Sequence, residues 1–184
     1  ASARPPNGTC TSEHVDNARR LLKAGFAALD VREQLPLRDV NDPAFSLSAG
    51  TLSGLGFLNV SGDVKSLCGV NESVTDFIAV APRVKGHYTW RSRGENPLSG
   101  ELIVEGRGAT FTGRLRQGRG SVRSVTLSLS HCSGLSVHLD GVSSFSVPGA
   151  QMMALGNRAF IKAVGKTTKD VVSPALKKAL RASQ

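Results

Sequence analysis

The stretch 150–182, AQMMALGNRAFIKAVGKTTKDVVSPALKKALRA, decides the fold. Within it Met153, Phe160, Ile161, Val164, Thr168, Val171, Val172, Leu176 and Leu180 recur at steps of three and four residues, with Lys162, Lys166, Lys169, Lys177 and Arg181 between them. That spacing is the signature of a helix with one apolar and one strongly basic face. Gly165 weakens the helix and Pro174 deletes one ladder hydrogen bond, so the sequence predicts either a bend or a break into two shorter helices.

Working outward, residues 13–32 repeat the design with Val15, Ala18, Leu22, Phe26 and Leu29, and Asp16 stands four residues before Arg20 as a helical ion pair would. Pro36 closes this helix or follows its end. Residues 45–147 lie between the two helices and alternate as strands do. Val84, Tyr88 and Trp90 alternate with Lys85, His87, Thr89 and Arg91; Phe111 and Leu115 alternate with Thr110, Thr112, Arg114 and Arg116; Val125, Leu127 and Leu129 alternate with Thr126 and Ser128. Such strands bury one face of an antiparallel sheet. The 20 glycines, several inside or beside strands, suit bulges and strong coiling more than a flat sheet. The two helices carry more apolar surface than a small flat sheet covers. The expected fold is therefore α+β: a strongly coiled antiparallel sheet wrapped around the long C-terminal helix, with an N-terminal helix, in one domain spanning residues 1–184. Residues 1–11 read as a flexible N-terminal tail.

No apolar run approaches the roughly 20 residues of a membrane-spanning helix. The chain starts at Ala1 and reads as a processed secretory protein, an expectation strengthened by Asn-x-Ser/Thr sites at Asn7, Asn59 and Asn71 in tail or turn segments. Three cysteines allow at most one internal pair. Cys68 and Cys132, both in strand-like segments, are the expected disulfide, with Cys10 free or intermolecular; the alternative is three unpaired thiols.

Charge is unevenly distributed: residues 1–105 hold 11 Lys/Arg against 12 Asp/Glu, whereas 106–184 hold 12 against 2, so the whole net charge of +9 belongs to the second half. Arg107, Arg114, Arg116, Arg119 and Arg123 form one group and Lys162, Lys166 and Lys169 another, a field suited to anionic glycans, lipid headgroups or nucleic acid, or simply a solvated basic face. Nucleic acid fits least, because one Trp and one Tyr offer little base stacking. No nucleophile elbow or phosphate loop is present. His131, Cys132 and His138 suggest a zinc site, but their spacing matches none, and His14 and His87 have no catalytic partner in the sequence. Neither an enzyme nor a metal or cofactor site is expected.

The order of segments is itself informative. The run Gly50-Thr51-Leu52-Ser53-Gly54-Leu55 to Gly62-Asp63-Val64, then Cys68 to Asn71 and Val74, then Val84-Lys85-Gly86-His87-Tyr88, together with the C-terminal Ser173-Pro174-Ala175-Leu176-Lys177-Lys178-Ala179-Leu180, resembles the group-seven mite allergens and related secreted arthropod proteins. Those belong to the tubular lipid-binding superfamily, with juvenile-hormone-binding, takeout-like and bactericidal/permeability-increasing proteins as wider relatives. The resemblance implies a coiled sheet around the C-terminal helix with an elongated apolar tunnel or groove.

The expected function is then a secreted carrier of a lipid or other apolar small molecule. Its lining residues would be Leu22, Phe26 and Leu29 from the first helix, Trp90, Phe111, Leu127 and Leu129 from the sheet, and Phe160, Ile161 and Val164 from the last helix, unless these simply pack as core. The alternative is a cationic surface that captures anionic glycans, lipopolysaccharide or phospholipid headgroups. Salt separates the two, since surface capture weakens steeply with ionic strength.

Overall fold

The computed structural model describes residues 7–143 and 146–184. The first helix, α1 (Ser12–Ala27), starts where the Thr11 hydroxyl accepts the His14 backbone N–H at 3.2 Å, an N-cap that satisfies one of the free amides of the first turn. It ends at Ala27, short of the 13–32 expected from sequence, and Leu29 lies beyond it, packed against the core from the connecting loop. The expected Asp16–Arg20 pair is replaced by Asp16–Arg19, at 3.3 Å. Pro36 falls within β2 (Gln34–Leu37), an edge strand where a missing N–H costs no ladder bond. The two-residue β3 (Val40–Asn41) follows it along the same partner, β4 (Phe45–Ser53).

The sheet continues through β5 (Asn59–Cys68), β6 (Glu72–Ala81), β7 (Val84–Ser92), β8 (Ser99–Gly106), β9 (Gly108–Gly118), β10 (Ser121–Ser133) and β11 (Ser136–Leu139). Its strands are grouped in two sheets, β1-β5-β6-β9-β10 and β11-β8-β7-β4-β2, where β1 is Gly8–Thr9. The pairing shows these to be two halves of one ribbon. Glu72↔Gly118 through Ala81↔Ala109 runs on as Val84↔Gly106 through Arg91↔Ser99 with no change of register, so residues 72–118 form a single long hairpin bent at Pro82–Arg83 and Arg107. The flanking strands do the same, β4 passing into β5 through a short turn at Leu55–Phe57 and β10 into β11 at Gly134–Leu135. Each long strand thus crosses from one sheet to the other, which is the coiling expected from the glycine content.

Gly54 makes one of these bends possible. Its φ is +104°, and a Cβ there would overlap the Arg83 carbonyl oxygen of the neighbouring bend. Gly54→Ala should lose about 3 kcal/mol of stability, from left-handed strain together with a backbone clash that no rotamer relieves. A urea-unfolding midpoint equal to that of the parent protein would show that the bend yields freely.

The C-terminal helix runs without interruption from Val147 to Ala182 as α2 (Val147–Thr167), a π turn (Thr168–Val172) and α3 (Ser173–Ala182). The break weighed from Gly165 and Pro174 does not occur. Pro174 has no N–H to give the carbonyl four residues earlier, and the helix absorbs the defect by widening one turn. The Ser173 N–H and hydroxyl both donate to the Thr168 carbonyl, the hydroxyl at 3.1 Å, while the Thr168 hydroxyl donates to the Val164 carbonyl at 2.7 Å.

Helices α1 and α3 pack on each other and onto β5 and β10, whereas α2 lies over β8 and β11. The main core gathers Leu22 and Phe26 from α1, Phe77, Phe111, Leu115 and Leu127 from one sheet, Leu52, Val84 and Val104 from the other, and Phe160, Val164, Val172, Leu176 and Leu180 from the C-terminal helix. A smaller cluster of Phe45, Leu47, Tyr88, Trp90, Leu102 and Met152 fills the far end of the second sheet. There the Trp90 indole N–H donates to the Asp140 carbonyl at 2.6 Å.

The cysteine pairing differs from expectation: Cys10 is bonded to Cys68, and Cys132 is the free thiol. Strands β6 and β9 lie between β5 and β10, and the register carries Cys68's row to Val122 at the far end of β10 from Cys132, so the two are separated by three strand spacings, roughly 14 Å, and by most of a strand's length as well, beyond disulfide reach. Residues 1–6 of the expected tail lie outside the described residues. From Gly8 the chain is stitched to β5, Gly8 facing Cys68 and Thr9 facing Leu67. Burial pushes the Cys132 thiol above its ordinary pKa, so it stays protonated at neutral pH.

Candidate functional site

The outer flank of α2 carries two parallel rows of side chains. One is small and mostly apolar: Leu155, Ala159, Ala163, Thr167 and Val171, each four residues after the last. Beside it runs Arg158, Lys162 and Lys166, with Asp170 completing the series. Four-residue steps stack side chains along one helix face, so the rows extend for about 24 Å. Facing them are Pro36 to Asn41 of the β2–β3 edge, and the floor between is Tyr88. The result is a groove of about 640 Å³, inside the ~300–1,000 Å³ range of small-molecule sites.

Ala159 and Ala163 present only methyl groups to the groove. Leu37, Val40 and Leu155 border it as half-buried extensions of the smaller core cluster, giving it an apolar base. Its rim is cationic, with Arg38, Arg158, Lys162 and Lys166 against Asp39 and Asp170. Burial holds the Tyr88 phenol above its ordinary pKa, so it is a neutral hydroxyl throughout the physiological range.

The ten residues expected to line a ligand space lie elsewhere. Leu22, Phe26, Phe111, Leu127, Phe160 and Val164 are buried together in the main cluster, with Leu29 and Leu129 half-buried against it. Trp90 belongs to the smaller cluster, and Ile161 is 41 % exposed on the solvent side of α2. None of the ten borders the groove or either of two other depressions. One of those, about 820 Å³, is a wide polar mouth around His14, Arg20, Asn71, Arg119 and Gln184; the other, about 560 Å³, lies on the outer face of the first sheet around Asp76 and Arg114.

The basic residues separate into two populations. Arg114 forms a fork with Asp76 directly across the sheet, its Nε 2.8 Å from one carboxylate oxygen, and Arg116 lies 3.8 Å from Glu72. Arg123 lies against Gly118 and Arg107 against Gly134, while Arg119 sits in the β9–β10 turn. Lys162 and Lys166 reach the groove, joined by Arg158 and Arg38; Lys169 is exposed outside it.

The suspected metal cluster is not assembled. His131 and His138 are exposed and pair with different strands, His131 facing Thr110 and His138 facing Ile103. Cys10, His14 and Cys68 do approach within 4.8 Å of one another, but two of these sulfurs are joined to each other and so offer no thiolate. Asn7, Asn59 and Asn71 are all exposed. Among the described residues no helix is long and apolar enough to cross a membrane.

Sequence reasoning named Lys162 and Lys166 but missed the groove beside them. The available signal was the pair Ala159 and Ala163 at helical spacing, next to a basic row at the same spacing.

No protein-family profile and no curated protein matches the sequence. Among solved structures, the chain is similar to Takeout 1 from Epiphyas postvittana at 16% identity and a TM-score of 0.44, covering 98% of this chain and 93% of that one. It is also similar to lipopolysaccharide binding protein at 11% identity and a TM-score of 0.39; that alignment covers 94% of this chain but only 41% of the longer neighbour.

Proposed function

We propose that the protein is a secreted, non-catalytic binding protein that carries a lipid or other small hydrophobic molecule in the groove between α2 and the β2–β3 edge. The observation that carries this reading is an open, apolar-floored trough beside the smaller core cluster, lined on its helix side by Ala159 and Ala163. Burying a ligand chain there would remove apolar surface from water at about 25 cal/mol per Å². The Cys10–Cys68 disulfide and the three exposed glycosylation sites support an extracellular setting. Capture of anionic glycans by the arginine group is the weaker reading, because Arg114 and Arg116 are already partnered by acids.

Organic extraction of natively purified protein, followed by mass spectrometry, should release a lipid in near-stoichiometric amount that is missing after refolding from denaturant. The double variant Ala159→Trp, Ala163→Trp should carry none while keeping the parent circular dichroism spectrum, since both positions are only half-buried. A double variant that still co-purifies with lipid would remove the groove as the site.

A further inference from the structure

The groove's polar groups indicate what kind of head its ligand carries. Tyr88 is only 1 % exposed and lines the floor. Among the described residues its hydroxyl has no hydrogen-bond partner, whereas most buried side-chain polar atoms in proteins have one. That hydroxyl is not sealed in the protein interior, so the space it can address is the groove itself. A neutral phenol held among apolar residues is a donor in search of an acceptor.

The cations along the rim are in the same position. Arg158, Lys162 and Lys166 enter no ion pair among the described residues, and neither does Arg38 on the opposite wall. The arginines of β9 show that this chain does pair its cations where acids are at hand. At the groove, four cations face two acids, leaving an excess of positive charge over an apolar trough. Positive charge beside a low-dielectric floor attracts an anion more strongly than the same charge on an open surface does.

Resting on the groove reading above, we propose that the ligand is a single-chain amphiphile with an acidic headgroup, a carboxylate or phosphate monoester. The chain lies along the Leu155, Ala159 and Ala163 row, the acid head is neutralised by the Arg158, Lys162 and Lys166 row, and the Tyr88 hydroxyl donates a hydrogen bond to a head oxygen. An amine head would be repelled by the same row. An uncharged ester would keep the burial and lose the charge term.

The test is competition for a fluorescent fatty-acid probe, in low salt, among oleic acid, oleyl phosphate, methyl oleate and oleylamine. Oleic acid or oleyl phosphate should displace the probe at least tenfold better than methyl oleate, and oleylamine should be the weakest. Comparing the two acids identifies the carboxylate or the phosphate as the natural head. In Lys162→Glu, Lys166→Glu the advantage of acid over ester should vanish; an advantage of the parent's size in that variant would overturn the headgroup assignment. Tyr88→Phe should weaken the acids several-fold at unchanged fold, judged by its circular dichroism. Methyl oleate binding as tightly as the acids in the parent protein would overturn the headgroup assignment while leaving the groove reading intact. Failure of all four ligands to displace, or of the probe to bind at all, would overturn both.

Discussion

Phe160→Ala should lower the unfolding free energy by about 3–5 kcal/mol, the usual cost of deleting an aromatic ring from a closely packed interior. Phe160 is fully buried at the centre of the main cluster, where it ties the C-terminal helix to both sheets. Its ring rests on Gly86 of β7, where a Cβ would stand only 2.7 Å from the ring edge. No neighbour can move in to fill the vacated volume without drawing the helix and the ribbon together. The neighbouring Ile161→Ala supplies the comparison: that side chain is 41 % exposed, and its loss should change stability by no more than about 0.5 kcal/mol. Urea unfolding followed by circular dichroism reads both. A loss below about 1 kcal/mol for Phe160→Ala would mean that the ring borders empty space rather than packed atoms, and would return it to the ligand-lining role the sequence suggested.

The second large effect concerns the disulfide. Cys10 and Cys68 are 58 residues apart, and in the chain-entropy account a bridge closing a loop of that size stabilises the native state by roughly 4 kcal/mol. Cys10→Ser should therefore lower the melting temperature by about 10 °C, at the 2–4 °C per kcal/mol typical of a chain this long. Cys132→Ser, which removes only a half-buried thiol, should shift it by a few degrees at most. Proteolysis under non-reducing conditions should yield a linked peptide containing Cys10 and Cys68, with Cys132 as the single alkylated site. A linked peptide containing Cys132 would contradict the pairing, and an unchanged melting temperature in Cys10→Ser would mean that the bridge constrains little of the unfolded chain.

Much of the layout could be read from periodicity. The steps of three and four from Met153 to Leu180 describe a helix that the structure carries to Ala182, and Val84, Tyr88 and Trp90, like Phe111 and Leu115, turn inward as their alternation requires. What could not be read depends on which strand lies beside which. Alternation says that Cys68 and Cys132 are in strands but not that two strands separate them. The arginine group looked like a free basic patch because Asp76, opposite Arg114, is 38 residues away in the chain. Leu29 continued the helical spacing of α1, so the end of that helix at Ala27 left no mark in the pattern. The groove escaped notice for a different reason: its helix side is lined by Ala159 and Ala163, and a hydrophobic pattern registers large side chains more readily than small ones.

The unbroken register of the long hairpin through its bend has a consequence for how a guest would come and go. Two sheets joined by one loop could part like jaws, but here four short crossings, β4 to β5, β6 to β7, β8 to β9 and β10 to β11, tie them together. The same holds on the helix side, where one continuous rod from Val147 to Ala182 spans both halves. The least-paired piece beside the groove is the β2–β3 edge, whose backbone pairs with β4 alone at six positions, with Leu35 in the core and an Arg93 bond to the Asn41 side chain as its other ties. Traffic through the groove would be governed by this short flap, at the rate of a local opening, while the rest of the molecule stays shut.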